Sequence, residues 1–161
     1  MNSNLCQACG RLAHDKDLFC LTCGHLLYRT DGTKPDCENH DTEPAVGSCV
    51  VCGKPVCGDC AVTFENRIFC NDQEHLLFLQ TWSLIHLTES EFDADAVTRN
   101  LHSAGILTRV YSARTHASMY WHGRYAPVRV FVAKDIAEKA KAMLVDLQLS
   151  GDVDNDHTGV A

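Results

Sequence analysis

Apolar residues recur with a regular period only in the second half of the chain. Val128, Val130 and Val132 alternate with Arg129 and Phe131, the period-two pattern of a strand. Trp82 to Leu87 is a short apolar run that also reads as a strand. Between them, Phe92, Ala96, Val97, Leu101 and Ala104 form an apolar stripe at helical spacing. Ser90 stands before this stripe as an N-cap, with Asp93 three residues on, a near relative of the capping box. Gly105 follows as the C′ stop. Ile106 to Tyr111 predicts a further strand. Asp135 predicts the cap of a last helix bearing Ile136, Ala140, Met143, Leu144 and Leu147, ended by Ser150-Gly151. From Thr81 onward the order is therefore β-α-β-β-α, an α+β domain with helices on one face of a mainly antiparallel sheet.

The first half has no such period. Its organising residues are cysteines: the chain has ten in 161 residues, all between Cys6 and Cys70. Eight form four Cys-x-x-Cys pairs: Cys6/Cys9, Cys20/Cys23, Cys49/Cys52 and Cys57/Cys60. The other two pair with histidines, as Cys37-x2-His40 and Cys70-x4-His75. Ten cysteines and two histidines make twelve ligands, enough for three tetrahedral zinc sites. Two ligands two residues apart bind one metal from a single turn, which a disulfide framework does not need. Redox Cys-x-x-Cys motifs come singly, near a βαβ unit. The expected cofactor is three structural zincs per chain.

The first site is Cys6, Cys9, Cys20 and Cys23, with Gly10 and Gly24 after the second cysteine of each pair. Its knuckles, Cys6-Gln-Ala-Cys9-Gly10 and Cys20-Leu-Thr-Cys23-Gly24, resemble a short zinc ribbon. In the second block, the four-residue gap between Cys52 and Cys57 is too short for adjacent pairs to wrap one metal. The pairs are then interleaved: Cys37, His40, Cys57 and Cys60 make the second site, and Cys49, Cys52, Cys70 and His75 the third. With Cys37-Glu-Asn-His40, Cys49-Val-Val-Cys52 and Cys57-Gly-Asp-Cys60, this cross-brace resembles a B-box zinc finger. It ends in Cys70 and His75 where many B-boxes end in two histidines, and its spacing differs from a RING finger. Every position has a protein ligand, so no place remains for an activated water and the zincs are structural.

The second half resembles the small prokaryotic domains described as putative signal-transducing proteins, which have a PII-like, ferredoxin-like plait. The resemblance rests on Glu91-Phe92-Asp93-Ala94, Ala104-Gly105-Ile106 and Val128-Arg129-Val130-Phe131-Val132 followed by Asp135, Ala137 and Ala140. A full plait has a fourth strand, and none is evident. An open sheet edge invites another chain, including a second copy. The loop between the second and third strands carries Arg114, His116, Tyr120, Trp121, His122, Arg124 and Tyr125. Arg, Trp and Tyr anchor protein contacts, and the corresponding loop of PII-like proteins reaches the partner. A hairpin whose aromatics only cover the sheet is the other reading.

The expected organisation is a zinc ribbon (1–36), a B-box-like finger (37–80), the plait (81–150) and a disordered acidic tail (151–161). Leu76, Leu77 and Leu79 continue the finger as a short helix. Net charge is 0, -5, +1 and -3 over these segments, -7 in all, so the ribbon lacks the basic surface nucleic-acid binding needs. Met1 to Leu5 has no secretory pattern and no apolar run is long enough to span a membrane, so a cytoplasmic setting is expected. No Ser/His/Asp signature, phosphate-binding glycine loop or spare thiol points to an enzyme. The leading expectation is a non-catalytic adaptor or regulatory protein working through protein–protein contacts, and the resemblance implies a role in signal transduction. The alternatives are a nucleic-acid or ribosome-associated zinc protein, whose Arg/aromatic loop would stack bases, and a thiol redox switch.

Overall fold

The computed structural model describes residues 4–13, 17–27, 32, 34–112 and 127–149. They fall into two compact units, one of residues up to Phe78, the other of Leu79–Tyr111 with the segment from Pro127 onward.

The first unit is a set of two-stranded antiparallel hairpins. β1 (Asn4–Leu5) pairs with β2 (Leu12–Ala13), and β3 (Asp36–Cys37) with β4 (His40–Pro44). β5 (Gly47–Ser48) pairs with β6 (Pro55–Val56), and β7 (Ala61–Phe64) with β8 (Arg67–Cys70). A lone two-stranded hairpin is marginal in water. Here the turns of β1-β2 and β5-β6 hold Cys6/Cys9 and Cys49/Cys52. The β7-β8 turn places Glu65 and Asn66 at φ 48° and 59°, as a two-residue type I′ turn requires. Helix α1 (Gln73–Thr81) follows, capped by Asp72, whose Oδ1 accepts from the Glu74 N–H at 2.9 Å. Leu18, Phe19 and Ala45 form one buried apolar cluster, and Val51, Val56, Ile68 and Phe69 are buried as well.

The second unit has one three-stranded sheet and two helices. β9 (Trp82–Thr88), α2 (Glu91–Ser103), β10 (Thr108–Ser112), β11 (Val128–Ala133) and α3 (Ala137–Asp146) run in that order, and the sheet order is β10-β11-β9. β11 is antiparallel to β9, from Val128 opposite Thr88 to Ala133 opposite Trp82, with a bulge where Val130 gives way to Phe131. The core joins Ile85, Val97, Leu101, Ile106, the three valines of β11, Ala140 and Leu144. Arg129 and Phe131 are buried as well, so the central strand is covered on both faces. Tyr111 meets Phe131 edge-on at 6.0 Å, and the Arg109 guanidinium lies 5.2 Å over the Trp82 ring.

Local signals differ from expectation in four places. Phe92 is 74 % exposed, and the buried stripe of α2 is Ala94, Val97 and Leu101. At about 100° per residue, Phe92 lies nearly opposite Ala94. Ala104 is the C-cap, exposed beyond the stripe. The second strand begins at Thr108, because Ile106 closes the end of α2. Its N–H reaches the Leu101 carbonyl (2.9 Å) while that of Gly105 reaches His102 (2.9 Å), the Schellman pattern. Asp135 caps nothing: a 3₁₀ turn over Lys134–Ile136 leads into α3, whose first residue has no side-chain cap. Gln148, at φ 55°, stops that helix by the same Schellman pattern, with Leu149 N–H on the Leu144 carbonyl at 2.9 Å. Ser150-Gly151 and the acidic tail lie outside the described residues.

Candidate metal centres

Three of the four Cys-x-x-Cys pairs share one backbone conformation. In each, the first cysteine's carbonyl accepts from the glycine after the pair: Gly10 to Cys6, Gly24 to Cys20 and Gly53 to Cys49, all at 2.8 Å. In each, the first cysteine's N–H also reaches a carbonyl five residues on: Arg11 (2.8 Å), His25 (2.8 Å) and Lys54 (2.9 Å). Gly10, Gly24 and Gly53 sit at φ 73–79°, which a Cβ disfavours. This turn aims both thiols to the same side. The fourth pair, Cys57/Cys60, uses a helical turn instead, with Ala61 N–H on the Cys57 carbonyl at 2.9 Å.

The fold gathers these pairs into three groups of four. They are Cys6, Cys9, Cys20 and Cys23; Cys37, His40, Cys57 and Cys60; and Cys49, Cys52, Cys70 and His75. The four ligand atoms of each lie within 4.8 Å of one another, so each group could hold a metal ion. Sγ–Sγ separations are 3.6 Å for Cys6/Cys23 and for Cys9/Cys20. Metal–sulfur bonds of about 2.3 Å in a tetrahedron require about 3.8 Å. Nδ1 of His40 is 3.3, 3.5 and 3.9 Å from the sulfurs of Cys57, Cys60 and Cys37. Nδ1 of His75 is 3.1 Å from Cys70 and 3.8 Å from Cys49. No disulfide links any of the ten cysteines.

Crowding polarises these thiols. A hydrogen bond from Cys23 holds Cys20 down, at about 4, and pushes Cys23 up. Cys49 is likewise held low by Cys52, and Cys52 is driven up by Cys49. Hydrogen bonds to Cys49 and Cys70 raise His75 to about 10. Four such groups cannot all lose their protons together unless a cation compensates the charge, and metal binding must therefore expel protons. Burial grades the sites. The three cysteines of the third are buried and its His75 is mostly so, Cys9 of the first is half-buried, and His40 of the second is exposed.

Two supporting residues were missed by spacing arguments. The Asp72 carboxylate lies 4.0 Å from His75 Nε2, opposite the sulfur-facing Nδ1. A carboxylate there orients a ligating imidazole and raises its basicity. The sequence signal was present: Asp72 both caps α1 and stands three residues before His75. Asn39 donates to the Cys60 sulfur at 3.6 Å, inside the Cys37–His40 pair.

Among the remaining histidines, His102 is exposed and bonds Thr108 Oγ1 at 3.0 Å. His86 is buried in β9, and that burial holds its imidazole below the usual range against the pull of Asp93. His25 pairs with Gly47 through its backbone. His14 and the loop residues Arg114, His116, Tyr120, Trp121, His122, Arg124 and Tyr125 lie outside the described residues. Among the described residues, no helix is long and apolar enough to cross a membrane. No family model, curated protein or solved structure matches the chain.

Proposed function

We propose that this chain is a non-catalytic, cytoplasmic adaptor whose first half is held by three structural zincs, in a ribbon and a B-box-like cross-brace. The observation that carries the reading is the closure of the three sites: four protein ligand atoms within 4.8 Å of one another in each. Thiolate-rich tetrads suit zinc, and a site filled by protein leaves no position for water. The strand order β10-β11-β9 supports a ferredoxin-like reading of the second half, since it is that of a β-α-β-β-α-β plait without its last strand. In this reading the Arg114–Tyr125 loop meets a protein partner, and the side of β9 that pairs with no strand among the described residues is a second place for one. The acidic finger argues against nucleic acid, whose phosphates it would repel.

The test begins with native mass spectrometry of protein purified without chelator or reductant. Three zincs per chain are expected. Fewer zincs, with two hydrogens lost per disulfide, would replace the adaptor with a thiol switch. Deleting Tyr120–Tyr125 is then expected to keep three zincs and abolish capture of the partner; unchanged capture removes the loop from the reading. RNA binding at low salt that falls steeply as salt rises would favour the nucleic-acid alternative.

A further inference from the structure

We infer that the first and third metal sites load cooperatively, coupled by a backbone-to-backbone junction at Gly24 and Gly47. The inference rests on the metal reading of the tetrads and adds a linkage between two of them that lie far apart in sequence.

The junction is made of atoms next to the ligands themselves. The Cys23 carbonyl, on a ligand of the first site, accepts from the Ile68 N–H at 2.9 Å. The Gly24 carbonyl accepts from the Ser48 N–H at 2.7 Å. Ser48 immediately precedes Cys49, and Ile68 stands two residues before Cys70, both ligands of the third site. The Ile68 carbonyl in turn accepts from Val50 at 2.9 Å, tying β8 to the turn that carries Cys49 and Cys52. One knuckle of the first site is therefore hydrogen-bonded to both arms of the third.

Two glycines make the approach close enough. A Cβ on Gly24 would collide with the Ser48 carbonyl oxygen. A Cβ on Gly47 would collide with the Ile68 side chain and lie 2.7 Å from the Gly24 carbonyl oxygen. A second contact lies at the rim, where Asn66 Nδ2 donates to the Ala8 carbonyl in the other knuckle of the first site.

The consequence follows from how metal sites fold. A segment the size of the ribbon has too little core to hold its knuckles without metal. With the first site empty, the Cys23 and Gly24 carbonyls are not held where Ile68 and Ser48 need them. With the third empty, the donors are not held where the knuckle needs them. Each metal therefore holds in place one partner of the hydrogen bonds that support the other site. Linkage requires the benefit to be reciprocal, and a coupling of this kind is typically worth roughly tenfold in affinity.

The test is a cobalt(II) titration of the metal-free, reduced full chain. The first site has four thiolates and the others three and an imidazole, so their absorption bands differ. Native mass spectrometry counts the metals in parallel. The four-thiolate and three-thiolate bands are expected to rise together, with one-metal chains scarcer than independent filling gives. Gly47→Ala keeps all twelve ligands and forces the modules apart. It is expected to bind three metals at saturation, with the four-thiolate band lagging and its affinity down roughly tenfold. Asn66→Gly is the milder variant: it keeps the positive φ and removes only the bond to Ala8, for a smaller lag. Independent filling of the unaltered chain, or unchanged titrations in both variants, overturns the coupling. A chain that binds no cobalt at saturation overturns the metal reading, and the coupling with it.

Discussion

The two units of this chain solve the same problem by different means. The second buries a contiguous apolar cluster between one sheet and two helices, the ordinary way to offset chain entropy. The first has four short hairpins, and nine of its ten cysteines are buried among apolar residues such as Val51, Val56 and Phe69. In the proposed reading, metal bound at the three tetrads makes up for the core that modules of about 40 residues are too small to build. Cross-linking by ligands needs no hydrophobic period. That is why the first unit has none, while its chemistry is the more readable of the two.

Metal removal should separate the units by the largest margin. A structural zinc contributes about 10–16 kcal/mol to a small domain at neutral pH, more than such a domain's whole stability. A strong chelator, or acid that protonates the thiolates, is expected to unfold residues 4–78 and spare the core around Val97 and Val130. Amide hydrogen exchange on the full chain reads both regions at once. Loss of protection throughout would break the comparison, because the second unit would then depend on the first.

A cavity in the second unit sharpens the contrast from the other side. Leu101 is wholly buried in α2, against the sheet. Leu101→Ala is expected to cost about 2–5 kcal/mol in urea unfolding of the second unit. The metal count of the first unit should stay at three by native mass spectrometry. A drop in bound metal would mean that the cost is shared.

Ligand grouping was legible because it is a counting problem. The four-residue gap between Cys52 and Cys57 keeps those two pairs from sharing one metal, and the alternation of the pairs points to the interleaved partnership of Cys49/Cys52 with Cys70/His75 that the fold assembles. The strand at Val128–Val132 and the Ser90 cap were legible for a similar reason: one residue type at one spacing does one job, and Asp93 N–H does bond Ser90 Oγ at 3.2 Å. What could not be read depended on three dimensions. Phe92 looks like a core residue until the phase of α2 is set by Ala94, Val97 and Leu101. Asp72 looks like a helix cap until His75 turns its second nitrogen toward it. The Gly24–Gly47 approach joins residues 23 apart, and no local pattern announces it.

The smallest effect tests one motif used twice within the second unit. α2 and α3 both end in a Schellman turn with a residue at positive φ: Gly105 at 76° and Gln148 at 55°. An L side chain in this region costs about 1 kcal/mol, which glycine avoids at the expense of a more mobile unfolded chain. Gln148→Gly is therefore expected to stabilise the second unit by about 0.5 kcal/mol, raising its Tm by roughly 2–4 °C. Gly105→Ala should act in the opposite direction, by about 1 kcal/mol. A Cβ there meets no atom within 4 Å, so backbone conformation is the whole of that cost. Calorimetry of the two variants gives opposite signs if the turn conformation governs both helix ends. A lower Tm for Gln148→Gly would show instead that the glutamine side chain holds the end of α3, and that its two helices stop for different reasons.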